Sequence, residues 1–160
     1  METRPGKAYP LGATFDGTGT NFAIYSSVAT AVTLCLLDDD LNEMRIPMTE
    51  VDAYVWHVYV PQVRAGQRYG YRIDGPWDPR NGLRCDSSKL LLDPYGRGLD
   101  GVVDMKPAVY AHYVDDELYP SEYPLRRSPI DSAPYMPRSV VVEPSFPIAP
   151  QPHVPWETTV

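Results

Sequence analysis

Residues 54–77 read YVWHVYVPQVRAGQRYGYRIDGPW, and the spacing of their apolar side chains decides the fold class. Tyr54, Trp56, Val58 and Val60 fall on one side of an alternating run, with Val55, His57 and Tyr59 on the other. That two-residue period is the mark of an extended strand. Pro61 stops the run, Ala65-Gly66-Gln67 turns the chain, and Arg68 to Asp74 alternates again with Tyr69, Tyr71 and Ile73 on one face. Two strands about seven residues apart with a Gly-containing turn between them are expected to pair as an antiparallel hairpin. Asp74-Gly75-Pro76 is a further turn signal, because Gly supplies a positive φ and Pro fixes its own. Trp77 is therefore expected on a loop, with its ring open to a ligand.

The alternation continues toward the N-terminus. Ala13 to Phe15 reads as a short strand, Asp16-Gly17-Thr18-Gly19 as a turn, and Thr20 to Ser26 as a second strand. The glycines do not make a phosphate loop: Phe22 occupies the third glycine position, and a strand follows where an anion site needs a helix N-terminus. Thr30 to Leu37 is apolar on nearly both faces, so it is expected centrally in its sheet. Asp38-Asp39-Asp40 would hold a cation only if other oxygen ligands converged there. It reads instead as a solvated hairpin tip before a strand at Met44 to Met48.

Toward the C-terminus, Ser87 or Ser88 is expected to cap one or two helical turns over KLLLD, ended by Pro94 and Gly96. From Pro107 the texture changes, with 11 of the 18 prolines lying in the last 54 residues. Such a segment forms no core of its own and is expected to drape over something else. Ser139 to Glu143 is the exception, because Val140-Val141-Val142 belongs inside a sheet. The expected architecture is an all-β, immunoglobulin-like β-sandwich over residues 1–106, followed by a Pro-rich, mostly irregular extension over 107–160.

A net charge of −7 and a pI near 4.8 argue against a nucleic-acid backbone or an anionic membrane surface as partner. No apolar run approaches the ~20 residues of a membrane span. The start METRPGKAYP lacks a secretory signal's apolar core, so a cytoplasmic location is expected, with Cys35 and Cys85 as free thiols. His57, His112 and His153 are scattered, and no HxxxH, CxxC or G-x-S-x-G spacing occurs. No metal, cofactor or catalytic residue is expected. Aromatic residues are the better lead, with 12 tyrosines. An exposed ring can stack on the apolar face of a sugar while neighbouring polar groups bond its hydroxyls. Trp56 reads as core, and Tyr69 and Tyr71 as core or sheet surface; Trp77, flanked by Asp78, Arg80 and Asn81, reads equally as a ligand contact or a structural anchor.

Several segments, in order, resemble the amino-terminal part of bacterial glycogen debranching enzymes of the isoamylase type. They are Tyr9-Pro10-Leu11-Gly12-Ala13-Thr14, Asp16 to Ala23, Val55-Trp56-His57, Gly66 to Arg72, Lys89 to Tyr95, Asp131-Ser132-Ala133-Pro134 and Ser139 to Val142. The resemblance implies a β-sandwich related to the family 48 carbohydrate-binding modules, followed by a family 13 (β/α)8 barrel that hydrolyses α-1,6 branch linkages. Pro155 to Val160 looks like the approach to the first barrel strand, where this chain stops, so no catalytic residue carries over. In related modules a Trp after the turn ending a hairpin stacks on sugar, with a Lys usually near the position of Gly70. Asp74-Gly75-Pro76-Trp77 looks similar, and Gly70 is a departure. The resemblance implies a noncatalytic module that packs on the barrel and binds α-glucan weakly, through Trp77 with Arg72 and Asp78 as polar partners. A free-standing glucan-binding protein and an immunoglobulin-like interaction domain are the alternatives.

Overall fold

The computed structural model describes residues 1–114 and 126–143. The expectations for His153 and for Pro155 to Val160 lie outside them. In chain order the strands are β1 (Gly12–Phe15), β2 (Gly19–Tyr25), β3 (Ala31–Leu37), β4 (Glu43–Met48), β5 (Glu50–Asp52), β6 (Val55–Pro61), β7 (Arg68–Asp74), β8 (Trp77–Asp78), β9 (Leu83–Arg84), β10 (Gly98–Asp100) and β11 (Arg138–Val140). One sheet has the order β1-β2-β6-β5, a second β10-β11-β7-β3-β4, and β8 pairs with β9 alone. All ladders are antiparallel. This is the expected immunoglobulin-like sandwich, with β3 inside its sheet.

The expected hairpin between β6 and β7 does not form. β6 pairs with β2 and β5, whereas β7 pairs with β3 and β11, so the two strands lie in opposite sheets. Competition for partners explains why, β2 taking up β6 and β3 taking up β7. Trp56, Val58 and Val60 from β6 and Tyr69, Tyr71 and Ile73 from β7 all belong to one core. Stacking the strands across that core brings the two apolar faces together, where a hairpin would set them side by side. Residues 61–67 form the arch, with Gln62 in the left-handed region at φ 67°. Val63 is buried beneath it, and its carbonyl accepts the Thr20 hydroxyl at 2.8 Å. Phe22 and Tyr69 meet edge-to-face across the sheets, with centroids 5.0 Å apart.

The Asp38 tip is closed by its own side chain, which accepts the Asn42 backbone N–H at 2.8 Å. The helix expected after Ser87 is also absent. Asp86 closes a turn by accepting the N–H of Ser88, and the chain then runs extended. Leu91 exchanges both backbone hydrogen bonds with Tyr71, at 2.8 and 2.9 Å. There β7 has run past its pairing with β11 and would otherwise leave its edge groups unpaired. The described helical structure is three single 3-10 turns, at Pro79–Asn81, Pro107–Val109 and Ala133–Tyr135.

β11, between β7 and β10, puts Ser139 and Val140 in a sheet, whereas Val141 and Val142 lie beyond its end. The segment after Pro107 is bonded back to the sandwich. Lys89 Nζ, on a side chain only 4% exposed, donates to the carbonyls of Ala108 at 3.0 Å and Ile130 at 2.6 Å. Burial lowers the Lys89 pKa. Ser132 Oγ accepts the Leu90 N–H, and Ser139 Oγ that of Asp93.

Candidate functional site

Trp77 lies in β8, not on a free loop. It is opposite Arg84 and Asp78 is opposite Leu83, around the turn Pro79–Asn81. Gly82, at φ 80°, ends that turn with its N–H on the Pro79 carbonyl. The hairpin is held close to the sandwich at Gly75, where a Cβ would come within 2.8 Å of Cys85 Sγ and 3.0 Å of the Val28 carbonyl. Trp77 and Asp78 are half-buried, whereas Arg80 and Asn81 are exposed. Asp78 accepts a hydrogen bond from Asn81 Nδ2 at 2.6 Å. The hairpin thus brings one indole, one carboxylate, one amide and two guanidiniums, those of Arg80 and Arg84, to one short stretch.

Arg72 is placed elsewhere. It points to the outer face of its sheet and is 3% exposed. Its guanidinium donates to both Glu43 oxygens, to both Asp131 oxygens at 2.9 and 3.0 Å, and to the Ser87 carbonyl at 3.0 Å. Burial alone would raise the Glu43 carboxyl, but hydrogen bonds and charge from Arg72 and Arg45 outweigh it and hold the pKa low. Asp131 is held low in the same way, burial being offset by the Ala133 N–H and Arg72. Sequence reasoning missed both partners, since Glu43 is 29 and Asp131 59 residues away along the chain.

The outer face of the β10-β11-β7-β3-β4 sheet is covered by the chain itself. Cys35, Leu37 and Leu90 form a second buried cluster against Ala133. Burial pushes the Cys35 thiol up to about 12, and both cysteines are unbridged. At Gly70 a Cβ would lie 2.9 Å from both Leu90 Cδ1 and the Leu91 carbonyl. The glycine is therefore required by close approach, and no longer side chain fits in this arrangement. No group of three or more His, Cys, Asp or Glu suited to a metal ion occurs among the described residues. Among them, too, no helix is long and apolar enough to cross a membrane.

Two stacked antiparallel sheets with an aromatic-bearing hairpin beyond the last turn of β7 define an immunoglobulin-like β-sandwich module. Residues 10–96 match the carbohydrate-binding module 48 family (isoamylase N-terminal domain), and the chain belongs to that family. It is 49% identical over 158 residues to a protein of Mycobacterium tuberculosis named "Glycogen operon protein GlgX homolog", covering 98% of this chain and 21% of that protein. It is 42% identical over 162 residues to the "Glycogen debranching enzyme" of Erwinia tasmaniensis, covering 100% of this chain and 23% of the enzyme. The chain thus spans less than a quarter of the length of these relatives. A ligand-free PulA mutant structure from Klebsiella pneumoniae shares the fold, with a TM-score of 0.53 and 18% identity over 85% of this chain and 10% of that one.

Proposed function

We propose that this chain is the N-terminal, noncatalytic module of a cytoplasmic glycogen-debranching glycoside hydrolase, packing on its catalytic barrel and contacting α-glucan weakly. The observation that carries the reading is the near-complete alignment of this chain to a glycogen operon protein homolog and a glycogen debranching enzyme over 21% and 23% of their lengths, beside its match to the isoamylase N-terminal domain family. Packing is supported by an exposed apolar run: Leu99, Val102, Val103 and Met105 lie open on and after β10. A strip of that kind marks an interaction surface. Glucan contact falls to the β8–β9 hairpin, with Trp77 stacking on a sugar ring and Asp78 accepting from its hydroxyls. Arg72, enclosed by Glu43, Asp131 and the Ser87 carbonyl, takes no part in that contact. The covered face at Gly70 gives the hairpin no further contact on its own sheet, which is why weak binding is expected.

A heteronuclear NMR titration of the 160-residue chain with a branched malto-oligosaccharide, beside a Trp77→Ala variant, tests the reading. Saturable shifts around Trp77 that vanish in the variant are expected. Their absence at millimolar sugar would leave packing on the barrel as the role.

A further inference from the structure

The outer face of the β1-β2-β6-β5 sheet bears a cavity of about 240 Å³. The segment 5–10 forms one wall and is rigidly fixed. Asn21 acts as a strand neighbour, its Oδ1 accepting the Lys7 N–H at 2.7 Å and its Nδ2 donating to the Lys7 carbonyl at 2.9 Å. Arg4 exchanges backbone hydrogen bonds with Tyr59. Gly6 lies so close to the sheet that a Cβ would fall 2.8 Å from Val58 backbone. The opposite wall is the Tyr59 side chain, whose hydroxyl bonds Thr18 Oγ1 at 2.8 Å and Asp16 at 3.1 Å.

Two features give the cavity its chemistry. Tyr9, 82% exposed, stands with Pro5 and Pro10 at the apolar side. Asp16 presents a permanent carboxylate, lowered to about 2 by the Thr18 N–H first, then by the Thr18 hydroxyl and the Gly19 N–H.

We propose that this cavity is a second α-glucan subsite that takes a single glucosyl ring, on the opposite sheet from the one that leads into the Trp77 hairpin. The volume lies below the roughly 300–1,000 Å³ of pockets for drug-sized ligands, which suits one ring. Tyrosine and proline faces match the apolar faces of a pyranose, while the Asp16 carboxylate accepts from its hydroxyls. A prolyl residue would stack on the same rings but, lacking an N–H, brings no donor to the Asp16 carboxylate. The subsite rests on the α-glucan reading above. Two separated contacts on one module would raise its hold on a branched polymer by effective concentration.

The test is an NMR titration of the 160-residue chain with maltotriose, in wild type, Tyr9→Ala and Trp77→Ala. Expected are saturable shifts at Gly6, Lys7 and Thr14 that weaken about tenfold in Tyr9→Ala, a ring's worth of stacking, and persist in Trp77→Ala. Tyr9 is exposed enough for its variant to keep the fold. Shifts confined to the Trp77 hairpin overturn the subsite and leave the glucan reading standing; no saturable shifts anywhere overturn both. Equal shifts with glycerol, or shifts with acetyl-Pro-Pro-amide in place of maltotriose, also overturn it.

Discussion

Arg72 shows how one side chain decides what a surface is for. Its guanidinium neutralises Glu43, whose side chain is 11% exposed, and reaches Asp131, which is half exposed. Replacing Arg72 with Met leaves Glu43 with Arg45 as its remaining partner, a partial loss of a buried pair whose complete breaking costs about 3–5 kcal/mol. The lower end is expected because Asp131 can turn to water. A fall in the urea midpoint with an unchanged m-value is the signature to look for, and Arg72→Lys is not expected to restore it, since an ammonium lacks the planar fork. The pH dependence has a definite sign. Both carboxyls are depressed in the folded state, so their contribution is complete above the ordinary Glu value of 4.5 and is lost as pH falls through their lowered pKa values. Wild type should lose stability on acidification more steeply than Arg72→Met; parallel midpoint-against-pH curves would disprove the clamp. Sequence alternation placed Arg72 on the face opposite Tyr71 and Ile73. Nothing local revealed that Glu43 and Asp131 would cover that face, because both partners arrive from distant segments.

At the scale of elements, every strand expected before residue 76 forms, but pairing differs from expectation. Period-two patterning states which face of a strand is apolar and is silent about the neighbouring strand. Either a hairpin or an arch buries the apolar faces of β6 and β7, and only the competition with β2 and β3 selects the arch. The same logic governs residues beyond 106, where β11 enters the sheet beside β7 and the Ala108 and Ile130 carbonyls satisfy Lys89. A chain ending at 106 is expected to lose cooperative unfolding and bind a hydrophobic dye. One ending at 143 should keep the melting behaviour of the full chain. A cooperative, well-dispersed 1–106 fragment would put the boundary where proline content alone suggests.

For the whole molecule, the net charge of −7 bears on ligand class. A neutral glucan owes nothing to ion pairing, so its affinity should stay within about twofold from about 50 mM to about 0.5 M salt, a range over which exposed charge contacts are screened. Isothermal titration at both ends checks this, and a steep decline would mean an anionic or cationic ligand. The amino-acid pattern alone determined the all-β class, the apolar side of each main strand and the aromatic candidate at Trp77, because alternation and turn chemistry are local. The tertiary structure decided that β6 and β7 face one another, that Leu90 closes the surface over Gly70, that Arg72 belongs to an ion-pair clamp, and that Tyr9, Thr14 and Tyr59 share a cavity. Those outcomes depend on which distant segments compete for the same edge, face or charge, and spacing along the chain carries no record of that competition.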